Sequence, residues 1–163
     1  MSIKNIKASF ILEDEINTPS KNCIFKQDNV VYTIYPHVRN FVNVTGIKRF
    51  EQLEIAKKII ESKLKRKVVK VRIDNTFYSQ KNYENVDMVK VYKFMKNSPL
   101  FHADYNVELF AGMYLHPKTS KYPTILFFRT GSYTMMGAMK KDILIECQIF
   151  VNNLILMFNK HCI

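Results

Sequence analysis

The sequence predicts an α+β fold in which two successive strand meanders, each closed by a helix, form one curved antiparallel sheet with helices on one side. Three observations predict it. Strand-like and helix-like hydrophobic periods alternate twice along the chain. Short motifs recur in the same order in both rounds. No Pro/Gly/Ser-rich linker separates the rounds, because Leu64-Lys65-Arg66-Lys67-Val68 passes directly from a helical period into a strand. At 163 residues, 47% of them hydrophobic, the chain can build one ordinary domain or two fused half-domains around a core.

The first round, residues 1–67, opens with strands at "IKASFIL", "NCIFK", "VVYTIY" and "NFVNVTG", rich in β-branched and aromatic residues and separated by polar clusters. The period then changes. In "FEQLEIAKKIIESKL", Phe50, Leu53, Ala56, Ile60 and Leu64 fall on one stripe with Lys57, Lys58 and Glu61 opposite, which predicts a surface helix covering a sheet. The second round, residues 68–163, repeats the pattern: a strand from Val68 to Tyr78, a helix in "VDMVKVYKFMKN", strands around "LFAGMYLH", "TILFF" and "SYTMMG", and a long apolar helix from about Lys140 to Asn159. "KNIKASF" pairs with "IDNTFYS", and "NVTGIK" with "TMMGAMK". Asn5 to Asn75 is 70 positions and Gly46 to Gly137 is 91, so the second round holds 21 extra residues, assigned to "VDMVKVYKFMKN" and the loop after it. The first round therefore lacks or shortens its first helix.

"TILFFRTGSYTMMG" carries apolar residues on both strand faces, although a half-buried strand should be wet on one side. The second apolar face needs something to touch. The 25 Lys+Arg against 14 Asp+Glu give a net charge of +11, which favours a polyanion such as nucleic acid or an acidic membrane surface. Abundant Lys, Asn, Ile, Phe and Tyr are also what an AT-rich genome produces, and that would raise lysine without a functional reason. No apolar run reaches 18 residues, and the N-terminus has no signal-peptide core, so a soluble protein without membrane partners is expected. Cys23, Cys147 and Cys162 have no C-x-x-C spacing and predict reduced thiols inside a cell. The four histidines make no ligand pattern, and no phosphate loop or catalytic constellation is present. Neither an enzyme nor a cofactor or metal is expected.

"ELFAGMYLH" followed by "ILFFRTGSYTMMGAMK" resembles the second repeat of the TATA-box-binding protein family, and "IKNI" and "RIDN" resemble the first strands of its two repeats. The similarity spans nearly the whole chain, strongly over 105–140 and weakly over 11–35. It implies the family's saddle, with helices on the convex side and AT-rich duplex DNA under the concave side. The second apolar face would then lie on the minor groove, where apolar wedges unstack base steps, a mode of which this family is the standing example.

The resemblance also implies roles. Phe110 and Phe128 match the wedge pair of the second half, and strand parity puts Thr124 and Leu126 on the DNA side with Phe128, as it does Ser132, Thr134 and Met136 in the next strand. Asn5 and Asn75 match paired asparagines that read the A N3 and T O2 acceptors, and Phe77 lies beside Asn75 on the same strand. In the first half Thr45 and Lys48 match, Tyr35 stands near the wedge position, Asn40 replaces a turn glycine, and Lys7 replaces a small apolar residue while remaining able to reach a phosphate. Phe25 is a loose candidate for the missing partner aromatic. Lys48, Arg129 and Lys140 are the expected phosphate contacts.

Glu108 and Leu109 match family positions that contact transcription factor IIB. The lysines Lys57, Lys58 and Lys63 are either a solvated helix face or, by resemblance, a regulator-binding surface. The expected function is that of a promoter-binding initiation factor, a monomer on DNA that recruits a IIB-like factor and RNA polymerase, acting in a nucleus or viral replication compartment and drawn from a large DNA virus. Two other readings stand beside it. One is a saddle that has become a protein-interaction adaptor, favoured by Lys7 and the eroded first half. The other is an enzyme domain on the same architecture, which would need an acidic or thiol centre.

Overall fold

The computed structural model describes residues 2–18 and 22–160, which fall into two compact units. The N-terminal unit, Ile3–Thr76, contains β1 (Ser2–Thr18) from its second residue, β2 (Cys23–Gln27), β3 (Val30–Ile34), β4 (His37–Ile47), α1 (Gln52–Leu64) and the first part of β5 (Val68–Gln80), while Ser2 groups with the other unit. Its strand order is β2-β3-β4-β1-β5. The C-terminal unit begins at Phe77, inside β5, and adds α2 (Met88–Met95), β6 (Phe101–Asp104), β7 (Met113–Pro117), β8 (Thr124–Phe127), β9 (Tyr133–Gly137) and α3 (Lys141–Phe158), in the order β5-β9-β8-β7-β6.

In the N-terminal unit alternation along the strands sends Ile6, Ala8, Phe10 and Leu12 of β1, Val30, Tyr32 and Ile34 of β3, and Val42 and Val44 of β4 to one face, where Ala56 and Ile60 of α1 meet them. β2 and β3 are joined by Asp28-Asn29, both at positive φ (52° and 65°), a two-residue loop whose twist suits a hairpin. Gly46 is required beside it. A Cβ at Gly46 would lie 2.7 Å from the Asn29 carbonyl oxygen, and its φ is +90°. The missing linker after α1 is explained by two local devices: Lys65 takes a left-handed cap conformation, and the Glu61 carboxylate accepts the Val68 N–H at 3.1 Å.

In the C-terminal unit Ile125 and Phe127 of β8, Tyr133 and Met135 of β9, and Leu144, Cys147 and Val151 of α3 are all fully or nearly fully buried. The Asp87 carboxylate caps α2 by accepting from Lys90 N at 3.2 Å. Phe94 of α2 and Phe158 of α3 lie with ring centroids 5.5 Å apart. The greasy C-terminal stretch is thus a core helix, and among the described residues no helix is long and apolar enough to cross a membrane.

Strand register makes the two units comparable residue by residue. Tyr32 faces Val44 across β3–β4 as Ile125 faces Met135 across β8–β9, and Phe25 faces Tyr32 as Leu115 faces Ile125. Counting onward, Tyr35 is the counterpart of Phe128. On the helices, buried Ala56 and Ile60 correspond to buried Cys147 and Val151.

Several expectations need correction. The extra segment of the second round holds not only α2 but also a strand, β6, paired with β7 from Phe101↔Pro117 to Asp104↔Tyr114. Its four residues, "FHAD", give too short an alternation to register against a loop background. "LFAGMYLH" is a strand only from Met113, because Asn106 first builds a turn: its side chain accepts from Glu108 N at 3.2 Å, and its carbonyl accepts from Leu109 N and Phe110 N. Asn40 lies within β4, and the positive φ of that turn belongs to His37 at 73°. β1 continues past Leu12 to Thr18, pairing Thr18 with His37.

Candidate functional site

Among the described residues each unit has one sheet face packed by helices and one face without them, and the sequence-derived DNA-side residues of the strands collect on the latter. In the C-terminal unit Thr124, Leu126 and Phe128 alternate with the buried Ile125 and Phe127, and Thr134 and Met136 alternate with the buried Tyr133 and Met135. Phe110 reaches this face from the turn before β7. Its ring centroid lies 6.0 Å from that of Phe128, with the planes at 70° in an edge-to-face pair that contributes about 1 kcal/mol beyond area burial. Phe110 is nonetheless 43% exposed and Met136 40% exposed.

Gly112 sets the position of this pair. A Cβ there would come within 2.8 Å of Phe110 Cε1, 2.8 Å of Leu126 Cδ1 and 2.9 Å of Phe128 Cε1, so both rings rest on bare backbone. The aromatic surface extends beyond the residues singled out from sequence. Phe110 stacks on Tyr114 at 5.7 Å, and Tyr114 stacks on His116 at 5.5 Å and 8°. Tyr114 and His116 are the outward members of β7, alternating with the buried Met113 and Leu115, and that alternation was the signal available for finding them. Ser132 is less available than its parity suggested. Its hydroxyl accepts from Asn82 N at 2.9 Å and donates to Asn82 O at 3.0 Å, pinning the chain that follows β5.

The free face of the N-terminal unit is more polar. Lys7 is exposed, Thr45 is half-buried, and Tyr35 sits 6.2 Å from Phe41, ring to ring. Asn5 is half-buried, and its Oδ1 accepts the Gly46 N–H at 2.7 Å. A backbone N–H can face only the amide oxygen, so the Nδ2 donor points elsewhere. Asn75 is exposed, and Phe77, on the C-terminal unit's side of the division, is half-buried; both alternate with the fully buried Thr76.

A four-residue cluster on this face was not foreseen. Ser9, 1% exposed, donates to Asp74 Oδ2 at 2.5 Å and also lies 2.8 Å from Asn43 Oδ1, while Arg72 pairs with Asp74 at 2.7 Å and reaches Ser9 Oγ at 3.3 Å. Three strands supply its members, which no local pattern reports. Phe25 is not a wedge: it stacks on buried Tyr32 at 4.6 Å and 6°, on the helix side. By register the N-terminal counterpart of Phe110 is position 20, outside the described residues.

The expected phosphate contacts Lys48, Arg129 and Lys140 are all exposed, just beyond β4, just beyond β8 and at the first position before α3 respectively. Glu108 and Leu109 project from the Asn106 turn, with Leu109 83% exposed. Lys57, Lys58 and Lys63 lie on α1, and Lys63 Nζ sits 5.0 Å from the Phe25 ring centroid, so one of these lysines covers an aromatic ring. Burial pushes the Cys147 thiol up to about 12 and the Tyr133 hydroxyl above its ordinary value, so both stay protonated in the core.

No family profile matches the chain, and no curated protein matches it. Among solved structures it is similar to TBP of Methanococcus jannaschii, at 19% identity and a TM-score of 0.59, over 95% of this chain and 97% of that one. The chain has a TBP-like α+β fold.

Proposed function

We propose that this chain binds AT-rich duplex DNA through its helix-free sheet faces, enters the minor groove, bends the duplex, and so serves as a transcription-initiation factor. The exposed edge-to-face pair Phe110–Phe128 carries the reading. Two phenyl rings standing on a glycine where β7 begins and β8 ends, with Tyr114 and His116 stacked beside them, present a hydrophobic wedge that solvent alone does not explain. The TBP-like fold supports it, as do exposed Lys48 and Arg129 just beyond strands and Lys140 at the start of α3, where they can neutralise phosphates.

Asn5 contributes the donor that an A·T pair accepts, with its amide oriented by Gly46. Glu108 and the exposed Leu109 offer a small apolar and acidic tip for a IIB-like factor, which would bring RNA polymerase to the bound promoter. The test is a mobility shift with AT-rich and GC-rich duplexes over a salt series. Preference for the AT-rich duplex with a steep salt slope supports the reading, and equal, salt-insensitive binding or none overturns it.

A second reading, a protein-interaction adaptor that has lost most DNA binding, is favoured by one observation. The Asp74 carboxylate lies on the free face of the N-terminal unit, where a phosphate-lined groove would repel it, and it engages Arg72 in an ion pair at 2.7 Å, which takes up a cation that could otherwise meet a phosphate. Absence of duplex binding by a folded protein would select the adaptor.

A further inference from the structure

The two units differ at one flank, and the C-terminal unit shows what the N-terminal unit lacks. In the C-terminal unit the outer edge of β7 is paired by β6, and β6 alternates buried Phe101 and Ala103 with exposed His102 and Asp104. Phe101 stacks on Phe150 of α3 at 5.5 Å, while α2 packs alongside. The strand thus completes the sheet and seals the helix against it.

β2 is the counterpart of β7, and Ile59, one position before buried Ile60 as Phe150 is one before buried Val151, is the counterpart of Phe150. Only positions 19–22 lie between β1 and β2, where the C-terminal unit has α2 and β6 between β5 and β7. Among the described residues β2 is the end of its sheet order, and its residues are exposed apart from half-buried Phe25. Alternate N–H and C=O groups of β2 therefore have no ladder partner among the described residues. Beside it a groove lined by Gln27, Ile55, Lys58, Ile59, Ser62 and Lys63 runs between β2 and α1, and Ile55 is 54% exposed within it. Where Leu115 is fully buried under its neighbours, Phe25 is covered by the ammonium of Lys63.

We propose that this flank is completed by an extended acidic segment of another protein, which adds a strand antiparallel to β2 and lays its apolar residues on Ile55 and Ile59 as Phe101 is laid on Phe150. Backbone pairing at an open edge requires a peptide rather than a nucleic acid. Lys58 and Lys63 line the groove and exposed Lys26 lies on the other face of β2, so cations flank an added strand on both of its faces and select an acidic segment. A second copy of this chain fits less well, since it would bring the same lysines and the same net charge of +11.

The probe is a short fluorescein-labelled, end-capped peptide alternating glutamate with leucine around a central phenylalanine, titrated with the full chain and read by anisotropy. Saturable binding is expected. It should weaken about tenfold when alternate peptide nitrogens on one edge are methylated, since two or more backbone hydrogen bonds are lost, and weaken similarly with Ile55→Glu or the Lys58→Glu/Lys63→Glu pair. It should survive Phe110→Ala/Phe128→Ala and an excess of AT-rich duplex, and β2 amides should gain protection from hydrogen exchange. The proposal is overturned if lysine in place of glutamate binds as well, if methylation on either edge has no effect, if duplex DNA displaces the peptide, or if β2 becomes protected through a concentration-dependent dimer of the chain alone.

Discussion

The Gly46 amide donates to the Asn5 side-chain oxygen at 2.7 Å, which ties the start of β1 to the end of β4 and fixes which way the Asn5 amide faces. Asn5→Asp keeps the acceptor for Gly46 but replaces the outward donor with a charged oxygen. Such a variant should melt close to the parent yet bind AT-rich duplex at least about tenfold more weakly, the cost of one or two lost or repelled contacts. Asn5→Ala should also lose stability, by about 1 kcal/mol, because Gly46 N–H loses its partner. Denaturant titration and mobility shifts on the two variants separate these effects.

The wedges should act unequally. Phe110 and Phe128 form a pair, whereas Tyr35, the counterpart of Phe128, carries a hydroxyl that costs more to drive between stacked bases than a phenyl edge. Alanine at both phenylalanines should nearly abolish bending, read by energy transfer between labelled duplex ends, while Tyr35→Ala reduces it only partly. Equal losses would mean that the wedge assignment is mistaken.

Gly112→Ala offers a test that leaves both rings in place. The added methyl meets the rims of Phe110, Leu126 and Phe128 at 2.8 to 2.9 Å and must push them outward or apart. The expected result is a folded protein destabilised by roughly 1–3 kcal/mol, as for overpacking, with a reduced bend angle at saturating protein. A normal bend would separate wedge geometry from wedge presence.

Arg129 and Lys140 should contribute charge without sequence preference. Reversing both to glutamate should weaken binding to AT-rich and GC-rich duplexes by the same factor and flatten the log–log salt dependence by about one counterion per lost contact. A selective loss on AT-rich DNA would instead make them base-reading residues.

Phe128 was legible because it stands out of phase with an obvious core residue, Phe127, which already fills the inner side of β8, whereas Phe110, in the turn before β7, was legible only through the family resemblance. Tyr35 was legible from its place before the turn, and register now aligns it with Phe128. The internal repeat was readable because its markers, Gly46 and Gly137, close strands whose buried residues match. What was hidden depends on distance along the chain. Ser9, Asn43 and Asp74 meet only when three strands come together, so neither the buried hydroxyl nor its carboxylate partner leaves a local trace. β6 was hidden for the opposite reason: it is so short that its two buried residues, Phe101 and Ala103, look like chance in a loop. The Asn106 turn was masked by the apolar "LFAG", which imitates a strand until the Asn106 side chain is seen to take the Glu108 amide.

The Asp28-Asn29 turn also orders events in time. Its two residues bring Gln27 against Val30 with almost no chain to close, so the β2–β3 ribbon can zip within about 1–10 μs. β1 must wait for β4, because Ile6 meets Ile47 only after the whole ribbon and its return strand have been made. The Asn29 carbonyl that leaves no room for a side chain at Gly46 is therefore expected to be in place before Gly46 arrives, an order that mutant folding and unfolding rates would check. A substitution at Gly46 would be felt late, as a barrier to docking β4 on a ribbon already formed, and would slow the closing of the N-terminal unit rather than the birth of its first turn.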